Sequence, residues 1–312
     1  MKRVYFLDTV HPVLEERLSK AGFLCLDLTK NSKEEVKNKI VDAYGLVLRS
    51  KFTMDRAFLT VCKKLNFIAR SGSGLENIDL EYCSKHTINV YNSPEGNRDA
   101  VAEHTLGFLL GLLNNFKQSN NDLANGNWFR EKNRGAELEN QRIGIVGYGN
   151  NGKAFAQRLE GLGVEVFAYD KYKTGFSKGR IRESSLEEIH KHATGVSFHV
   201  PLTADTLYMA DYQFFKRFSS SVFVLNISRG KVLKTKDLLR ALDEGLVSGA
   251  GLDVLEEESN SFDLQVKNES ILKLNGHPNV ILTPHVAGWT KESYFKLSNI
   301  LAEKILNRKS PL

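Results

Sequence analysis

The 312-residue chain is 41% apolar and 26% charged, a composition typical of a globular protein that is long enough for about two domains. Its net charge of +6 includes no block of five or six like charges, which argues against a nucleic-acid partner. Its three widely spaced cysteines form no zinc motif, so we expect no bound metal. It has no signal-peptide pattern and no apolar run of roughly 20 residues, so we expect a cytoplasmic protein without a membrane partner.

The predicted elements of the first third alternate between strands and helices. Short apolar runs predict strands at 4–7, 24–28, 46–48, 66–70 and 88–91. Helical periodicity predicts helices at 12–21, 33–43 and 55–62. Because strands that alternate with helices form parallel sheets, these elements predict an α/β domain whose sheet is covered on both faces.

A long apolar helix is predicted at 99–115, and the asparagine-rich stretch 114–127 is expected to end it. We expect a homodimer through the 99–140 region. A core helix between domains would show the same pattern, and the sequence does not separate the two roles.

A second alternating series begins at Arg142. Its predicted strands are 143–146, 165–169, 196–200, 222–227, 250–254 and 280–282, with helices that include 151–160 and 236–244. The last predicted helix, 292–306, is expected to pack back on the first domain. We therefore predict one domain of residues 1–98 plus 289–312, and a second domain of residues 99–288.

The second series opens with a glycine-rich motif. Gly147, Gly149 and Gly152 match the pattern G-x-G-x-x-G between a strand and a helix. These glycines permit a tight turn, close approach of the backbone to a pyrophosphate, and close packing of the helix on the strand. Asp170 ends the next predicted strand, where a carboxylate accepts hydrogen bonds from a ribose. The motif predicts a dinucleotide site.

Two neighbouring residues qualify this prediction. Asp170 favours NAD over NADP because a carboxylate repels a 2′-phosphate, but Lys171 beside it leaves NADP open. Asn151 stands where such loops usually carry an apolar residue, and it either loosens the packing or caps the helix.

Three further segments follow predicted strands and carry an arginine, acidic residues and a histidine. They are Asn226–Gly230 with Arg229, Gly251–Glu258 with Asp253 and Glu258, and Thr283–Gly288 with His285. Ligands of open α/β sheets bind at this edge. Reduction of a 2-keto acid needs a cation to hold the carboxylate and polarise the keto oxygen, and an acid to protonate that oxygen.

The sequence resembles the D-isomer-specific 2-hydroxyacid dehydrogenases over essentially its whole length. The motifs that carry the resemblance are 70–74 (RSGSG), 97–104 (NRDAVAEH), the Gly147 motif, 199–203 (HVPLT), 226–230 (NISRG), 251–258 (GLDVLEEE) and 284–288 (PHVAG). The resemblance implies two doubly wound parallel-sheet domains, a flavodoxin-like substrate domain and a Rossmann NAD-binding domain.

The resemblance also implies a catalytic trio. Arg229 would bind the substrate carboxylate and keto oxygen, and His285 would be the general acid and base. Glu258 would hydrogen-bond His285 and favour the imidazolium by direct attraction. The family usually has proline after this glutamate, whereas Ser259 follows here, so Glu257 becomes the partner if the register shifts by one.

Further site residues follow from the same resemblance. Residues expected at the NAD site are Gly147, Tyr148, Gly149, Asn150, Asn151, Gly152, Asp170, His199, Val200, Pro201, Thr206, Asn226, Ile227, Ser228, Asp253 (on the nicotinamide carboxamide side), Gly288 and Val101. Residues expected to bind the substrate are Arg49, Ser50, Arg70, Ser71, Gly72, Ser73 and Gly74, the last three through successive backbone N–H groups.

The cations Arg49, Lys51 and Arg70 suit a second anionic group such as a phosphate. This arrangement resembles the phosphoglycerate dehydrogenases within the family, and the expected pair is 3-phosphoglycerate and phosphohydroxypyruvate. A glyoxylate, hydroxypyruvate or D-lactate type of reductase would keep the same trio. A non-catalytic, NAD-responsive corepressor type of protein is the alternative of another class. Since 27 residues follow His285, we expect no appended regulatory domain.

Overall fold

The computed structural model describes residues 1–258 and 268–307, and these divide into two compact units. The first unit comprises Met1–Asn97 together with the described residues from Trp289 onward. The second unit runs from Arg98 to Glu258 and, within the described residues, from 268 to Gly288.

The first unit contains a five-stranded parallel sheet in the order β2-β1-β3-β4-β5. Its strands are β1 (Lys2–Phe6), β2 (Phe23–Asp27), β3 (Gly45–Leu48), β4 (Phe67–Arg70) and β5 (Asn89–Asn92). All residues of β3 and β4 are buried, as expected for central strands covered on both faces. This strand order is that of flavodoxin-like folds, which confirms the expected architecture.

Helices cover both faces of the first sheet. They are α1 (Val13–Lys20), α2 (Lys33–Lys39), α3 (Arg56–Leu59), α4 (Leu80–Lys85), the beginning of α5 (Pro94–Leu113), and α12 (Lys291–Leu306). One buried cluster contains Val36, Ile40 and Phe58, and the cluster on the other face joins Leu14 of α1 to Leu301 of α12.

The second unit contains a seven-stranded parallel sheet in the order β12-β11-β10-β9-β6-β7-β8. Its strands are β6 (Arg142–Val146), β7 (Glu165–Tyr169), β8 (Ile181–Glu183), β9 (Gly195–Phe198), β10 (Val222–Asn226), β11 (Val247–Leu252) and β12 (Val280–Leu282). The order reverses between β6 and β9, which is the crevice position of a Rossmann sheet.

The second unit's helices pack on both faces of this sheet and give it two buried clusters. They are the rest of α5, α6 (Phe116–Ala124), α7 (Asn150–Gly161), α8 (Leu186–His192), α9 (Tyr212–Lys216), α10 (Thr235–Asp243) and α11 (Glu269–Gly276). Short 3-10 turns occupy Leu138–Asn140 and Gly230–Val232.

Several predicted helix boundaries are wrong. The helix predicted at 33–43 ends at Lys39, and the one predicted at 55–62 is only Arg56–Leu59. After each helix the chain tightens into turns, in which the N–H of Ala43 donates to the carbonyl of Ile40 and that of Cys62 to the carbonyl of Leu59. The stretch 114–127 does end α5, but it contains a helix of its own, α6. Asn115, in the left-handed region at φ 53°, separates the two helices.

Candidate functional site

The glycine-rich turn after β6 has the geometry that the sequence predicts. Gly147 lies in the left-handed region at φ 98°, where a Cβ would also come within 2.6 Å of the carbonyl oxygen of His199. A Cβ on Gly152 would lie 2.0 Å from the carbonyl oxygen of Gly147. Both positions therefore require glycine.

Gly149 differs from these two glycines because a Cβ there would meet only open space. It is the N-cap residue of α7, and no side chain caps this helix. The start of α7 thus offers backbone N–H groups and a positive helix end toward that space, a combination that suits a phosphate. These observations fit a dinucleotide.

Asn151 is the second residue of α7 and does not cap it, so the capping interpretation is wrong. The cap position falls at Gly149 because the tight turn ends there. The side-chain oxygen of Asn151 is buried and has no hydrogen-bond partner among the described residues.

Asp170 follows β7 and ties the glycine-rich turn to the next loop. Its carboxylate accepts hydrogen bonds from the backbone N–H groups of Tyr148 at 2.8 Å, Tyr172 at 2.9 Å and Lys173 at 3.0 Å. The Lys171 ammonium, which left NADP open, forms an exposed ion pair with Asp205 at 2.6 Å. Tyr148 is buried and stacks on Phe176, with the ring centroids 4.2 Å apart.

The other predicted cofactor residues mostly shape loops at the carboxyl edge of the second sheet. The Thr206 hydroxyl donates to the Pro201 carbonyl at 2.6 Å and closes the turn after Val200. The His199 ring contacts the Ser197 hydroxyl at 2.8 Å, and burial lowers the pKa of His199 to about 3. Val101 of α5 is buried in the cluster that also contains Tyr148, Ile227 and Ala287.

The loop after β10 presents Arg229. The side chain of Asn226, at the end of β10, accepts from the hydroxyl of Ser228 at 2.8 Å and donates to the carbonyl of Arg229 at 3.0 Å. Arg229 itself donates from Nη1 to the carbonyl of Ser228 at 2.7 Å. Asn226 therefore fixes the backbone from which the guanidinium extends.

His285 pairs with Glu258. Nδ1 of the imidazole lies 2.5 Å from Oε1 of Glu258, and both side chains are largely buried. Glu258, and not Glu257, is the acidic partner of His285, while Ser259 lies outside the described residues. Because Nδ1 faces the carboxylate, Nε2 is the ring nitrogen that can exchange a proton with a ligand.

Asp253 supports the loop that carries His285. Its carboxylate accepts from the Thr283 hydroxyl at 2.5 Å and from the N–H groups of Val286 and Ala287, each at 2.8 Å. The N–H of His285 donates to the Asp253 carbonyl at 2.8 Å. Asp253 is thus already engaged by the loop, and its predicted contact with a carboxamide would use the remaining acceptor capacity. Gly288 is partly buried at the end of this loop.

The predicted substrate residues of the first unit follow β3 and β4. Gly72 has φ 153°, and a Cβ there would lie 1.7 Å from Nη1 of the buried Arg70, so the guanidinium covers the space that a side chain would fill. The Ser73 hydroxyl donates to the side chain of Asn97 at 2.8 Å. Ser71 is buried, whereas Gly74 and Ser50 are partly buried.

Arg49 and Lys51 have different surroundings in spite of their proximity in sequence. The Lys51 ammonium donates to the carbonyls of Thr29 and Asn31, which ties it to the loop after β2. The Arg49 guanidinium stacks on the Trp289 ring, 3.9 Å from its centroid. Burial lowers the pKa of Arg49.

Sequence reasoning missed Asp8 and Trp289. The carboxylate of Asp8 accepts from the N–H groups of Arg49 at 2.7 Å and Lys51 at 3.0 Å, which fixes the loop after β3. Asp8 comes just after the first predicted strand, and this position could have identified it from the sequence. Trp289 directly follows the 284–288 motif, but nothing in the sequence joins it to a residue 240 positions earlier.

The described residues contain no group of three or more His, Cys, Asp or Glu side chains arranged to hold a metal ion. None of the helices in residues 1–258 and 268–307 combines the length and apolar character needed to cross a membrane.

The chain resembles known proteins in sequence. Residues 106–287 match the family model described as D-isomer specific 2-hydroxyacid dehydrogenase, NAD binding domain. The D-3-phosphoglycerate dehydrogenase of Methanocaldococcus jannaschii is 32% identical over 308 residues, which are 98% of this chain and 57% of that protein. The Homo sapiens protein of the same name is 29% identical over 310 residues, 98% of this chain and 56% of its own length. The chain thus spans a little over half the length of these curated relatives.

The fold also has solved counterparts. A D-lactate dehydrogenase from Aquifex aeolicus, complexed with NAD and lactic acid, is 27% identical and superimposes with a TM-score of 0.83 over 98% of this chain and 95% of that chain. A D-2-hydroxyisocaproate dehydrogenase, 22% identical, gives a TM-score of 0.85 over 99% of this chain and 98% of that chain, and shows the same fold.

Proposed function

Because the chain belongs to the D-isomer specific 2-hydroxyacid dehydrogenase family, we propose that it is an NAD-dependent oxidoreductase acting on a D-2-hydroxy acid and its 2-keto acid. The observation that carries this proposal is the 2.5 Å contact between His285 and Glu258. These residues and Arg229 follow three neighbouring strands, β10, β11 and β12, in the sheet that also carries the glycine-rich turn.

We assign the cofactor to the residues at the carboxyl edge of the second sheet. The turn from Gly147 to Gly152 would hold the pyrophosphate at the start of α7, and Asp170 would receive a ribose hydroxyl. When bound, the nicotinamide ring gives a hydride to the keto carbon or accepts it from the hydroxy acid.

Three side chains would stabilise the charge and transfer the proton in this reaction. In reduction, protonated His285 gives its Nε2 proton to the keto oxygen as the hydride reaches the carbon, and the ring ends neutral. In oxidation, neutral His285 takes the hydroxyl proton. Arg229 pairs with the substrate carboxylate and stabilises the negative charge that develops on the oxygen. Glu258 keeps Nδ1 engaged and so fixes the orientation of the ring.

For the substrate we propose 3-phosphoglycerate and phosphohydroxypyruvate. The named sequence relatives favour this pair. Arg49 supplies a guanidinium for the phosphate, and the backbone from Gly72 to Gly74 supplies N–H groups for the carboxylate.

A panel of keto acids, assayed one at a time, tests the activity and the substrate together. Purified protein is mixed with NADH and, separately, with phosphohydroxypyruvate, hydroxypyruvate, glyoxylate, pyruvate or oxaloacetate, and absorbance at the NADH band is followed. We expect the highest kcat/KM with phosphohydroxypyruvate. A higher value with glyoxylate or pyruvate would replace the proposed substrate. No turnover on any acid, with NADH still bound, would indicate an NAD-responsive binding protein.

We also propose that the protein is a homodimer that forms through the 99–140 region. Large apolar side chains are exposed there on α6 and in the segment after it: Phe116 (61% exposed), Leu123 (56%), Trp128 (77%) and Phe129 (47%). A second copy that covers these side chains would remove them from water. Sedimentation of wild type and Trp128→Ser tests this, since the substitution should weaken the dimer.

The three unpaired cysteines fit the reducing cytoplasm that we propose as the location.

A further inference from the structure

The side chain of Arg49 lies in an unusual environment for a cation. It follows β3 at the carboxyl edge of the first sheet and is partly buried. Its backbone is held on both sides, because its N–H donates to Asp8 and its carbonyl accepts from the side chain of Asn77 at 3.1 Å. Among the described residues, no group accepts a hydrogen bond from its guanidinium. A partly desolvated guanidinium without an acceptor is suited to an incoming anion.

One face of this guanidinium is covered by Trp289. The guanidinium carbon lies 3.9 Å from the centroid of the ring, within the range of a cation–π contact. Trp289 is itself supported by Tyr294, whose ring meets it edge to face at a centroid distance of 5.2 Å. Tyr294 in turn meets the ring of His11 at 5.4 Å. Trp289 is therefore held by contacts with neighbouring aromatic rings of the same unit.

This contact restricts the positions that the Arg49 guanidinium can take. A guanidinium that lies flat on a ring keeps its N–H groups in one plane, where they radiate from its edge and not toward the aromatic surface. That edge matches two oxygens of a phosphate in a bidentate contact. If the ring is removed, the same charge remains on a flexible stem, and holding it in place for the phosphate costs side-chain entropy.

We propose that Trp289 is a positioning residue that confers preference for phosphorylated substrates by holding the Arg49 guanidinium against its ring. The proposal rests on the proposed function, since it assigns the phosphate of that substrate to Arg49. Trp289 acts through Arg49.

Substrate kinetics give the first test. Trp289→Leu should raise KM for phosphohydroxypyruvate about tenfold, equivalent to about 1.4 kcal/mol, with little change in kcat. KM for hydroxypyruvate, which lacks the phosphate, should stay within about twofold. Trp289→Phe keeps an aromatic face and should restore most of the preference. In the Arg49→Ala background, Trp289→Leu should add no further loss. If Trp289→Leu raises KM equally for both substrates, or still raises it about tenfold in the Arg49→Ala background, the role of Trp289 is merely structural and the proposal is overturned.

A binding measurement separates this inference from the proposed function. The chain has two tryptophans, so Trp128→Phe leaves Trp289 as the only one. With NAD⁺ present, inorganic phosphate should change the emission of Trp289, and Arg49→Ala should abolish that change. If Trp289 responds to phosphate while phosphohydroxypyruvate is not turned over, the proposed function fails and the anion site stands. If the emission does not respond to phosphate, the assignment of phosphate to Arg49 is wrong.

Discussion

His285 adopts a backbone conformation that few residues other than glycine tolerate. Its φ is 54°, in the left-handed region, and its N–H and the two that follow are all bonded to Asp253. A non-glycine residue in this region costs on the order of 1–3 kcal/mol, so the surrounding bonds must hold it there. The same bonds place the imidazole against Glu258, which links the strain to the orientation of the proposed proton donor.

Substitution of His285 tests its role at the residue scale. Asparagine tolerates the left-handed region well, so His285→Asn should fold like the wild type, whereas His285→Ala adds strain. Both variants lose the proposed proton donor, and we expect kcat to fall by about 10²–10⁴ with NADH affinity nearly unchanged. Stopped-flow kinetics and fluorescence titration of NADH measure the two quantities. A variant with wild-type kcat would remove His285 from catalysis.

The lowered pKa of His199 predicts that stability depends on pH. Burial lowers its pKa from 6.5 to about 3, so in the folded protein the ring stays neutral where the unfolded chain binds a proton. The free energy of unfolding should therefore fall as pH drops from about 6.5 toward about 3, by about 1.4 kcal/mol per unit from this residue.

Urea unfolding at pH 7 and pH 5, without cofactor, measures this contribution. His199→Gln keeps a polar group near Ser197 but does not titrate, so its loss of stability between the two pH values should be smaller by roughly 2 kcal/mol. Equal losses in both proteins would mean that His199 does not contribute to acid sensitivity.

Individual site residues were predictable where a motif fixes the backbone. Gly147 and Gly152 have no room for a side chain, and His285 directly follows a strand, so local sequence places them. Local sequence left Glu258 and Glu257 as alternatives, and the contact with His285 decides for Glu258. The contacts of Arg49 were not predictable, because Trp289 reaches it from the far end of the chain. The engagement of Asp170 and Asp253 by backbone N–H groups was also missed, since loop conformation decides it.

At the scale of elements, the loop after β11 is anchored to the start of α10. Oε2 of Glu256 accepts from the N–H of Thr235 at 2.8 Å, and no side chain of the preceding residue, Lys234, caps this helix. A hydrogen bond to Glu256 also raises the pKa of Tyr208. Glu256 thus acts as a remote helix cap, and it holds the loop two residues before Glu258.

Removal of this cap should destabilise the protein. Glu256→Ala leaves the N–H of Thr235 without its acceptor, and we expect a loss of about 1–2 kcal/mol in the free energy of unfolding. The neighbouring Glu257 is exposed, and Glu257→Ala serves as the matched control with a change below about 0.5 kcal/mol. Urea unfolding followed by circular dichroism compares the two. Losses of similar size would contradict the capping role.

Elements with strong hydrophobic periodicity were predicted within a few residues, whereas weakly apolar ones were not. The helix α6 lies in an asparagine-rich segment, and polar contacts stabilise it: Asp122 accepts from Gln118, Lys132 and Asn133. Such contacts leave no periodic signal. The three-residue strand β8 pairs only at the sheet edge and is too short for a pattern.

At the scale of the whole molecule, alternation of strands and helices predicts two parallel sheets, and both are present. Their strand orders came from the family resemblance, because periodicity does not say which strands are neighbours. The sequence predicts helix 292–306 and its return to the first domain, and α12 covers a sheet whose strands lie more than 190 residues earlier. Its Leu301 is fully buried in the cluster that contains Val4 and Leu14.

The first unit should therefore depend on α12 for stability. Leu301→Ala leaves a cavity in its core and should lower the free energy of unfolding by about 3 kcal/mol. Trp289 reports on this unit, so its fluorescence in a Trp128→Phe background follows the transition in urea. Lys291→Ala, an exposed position in the same helix, is the control. A midpoint unchanged by Leu301→Ala would show that α12 is dispensable for this unit.

The first unit is built from two separate stretches of the chain, and this has a consequence for biosynthesis. When the ribosome has produced the five strands of its sheet, the helix that covers one face is still almost 200 codons away. Until then the nascent chain carries an apolar face that α1 covers only in part, while the entire second unit is being made. Holding factors that bind such surfaces would therefore matter most during translation of this middle stretch, and slow elongation there would favour aggregation.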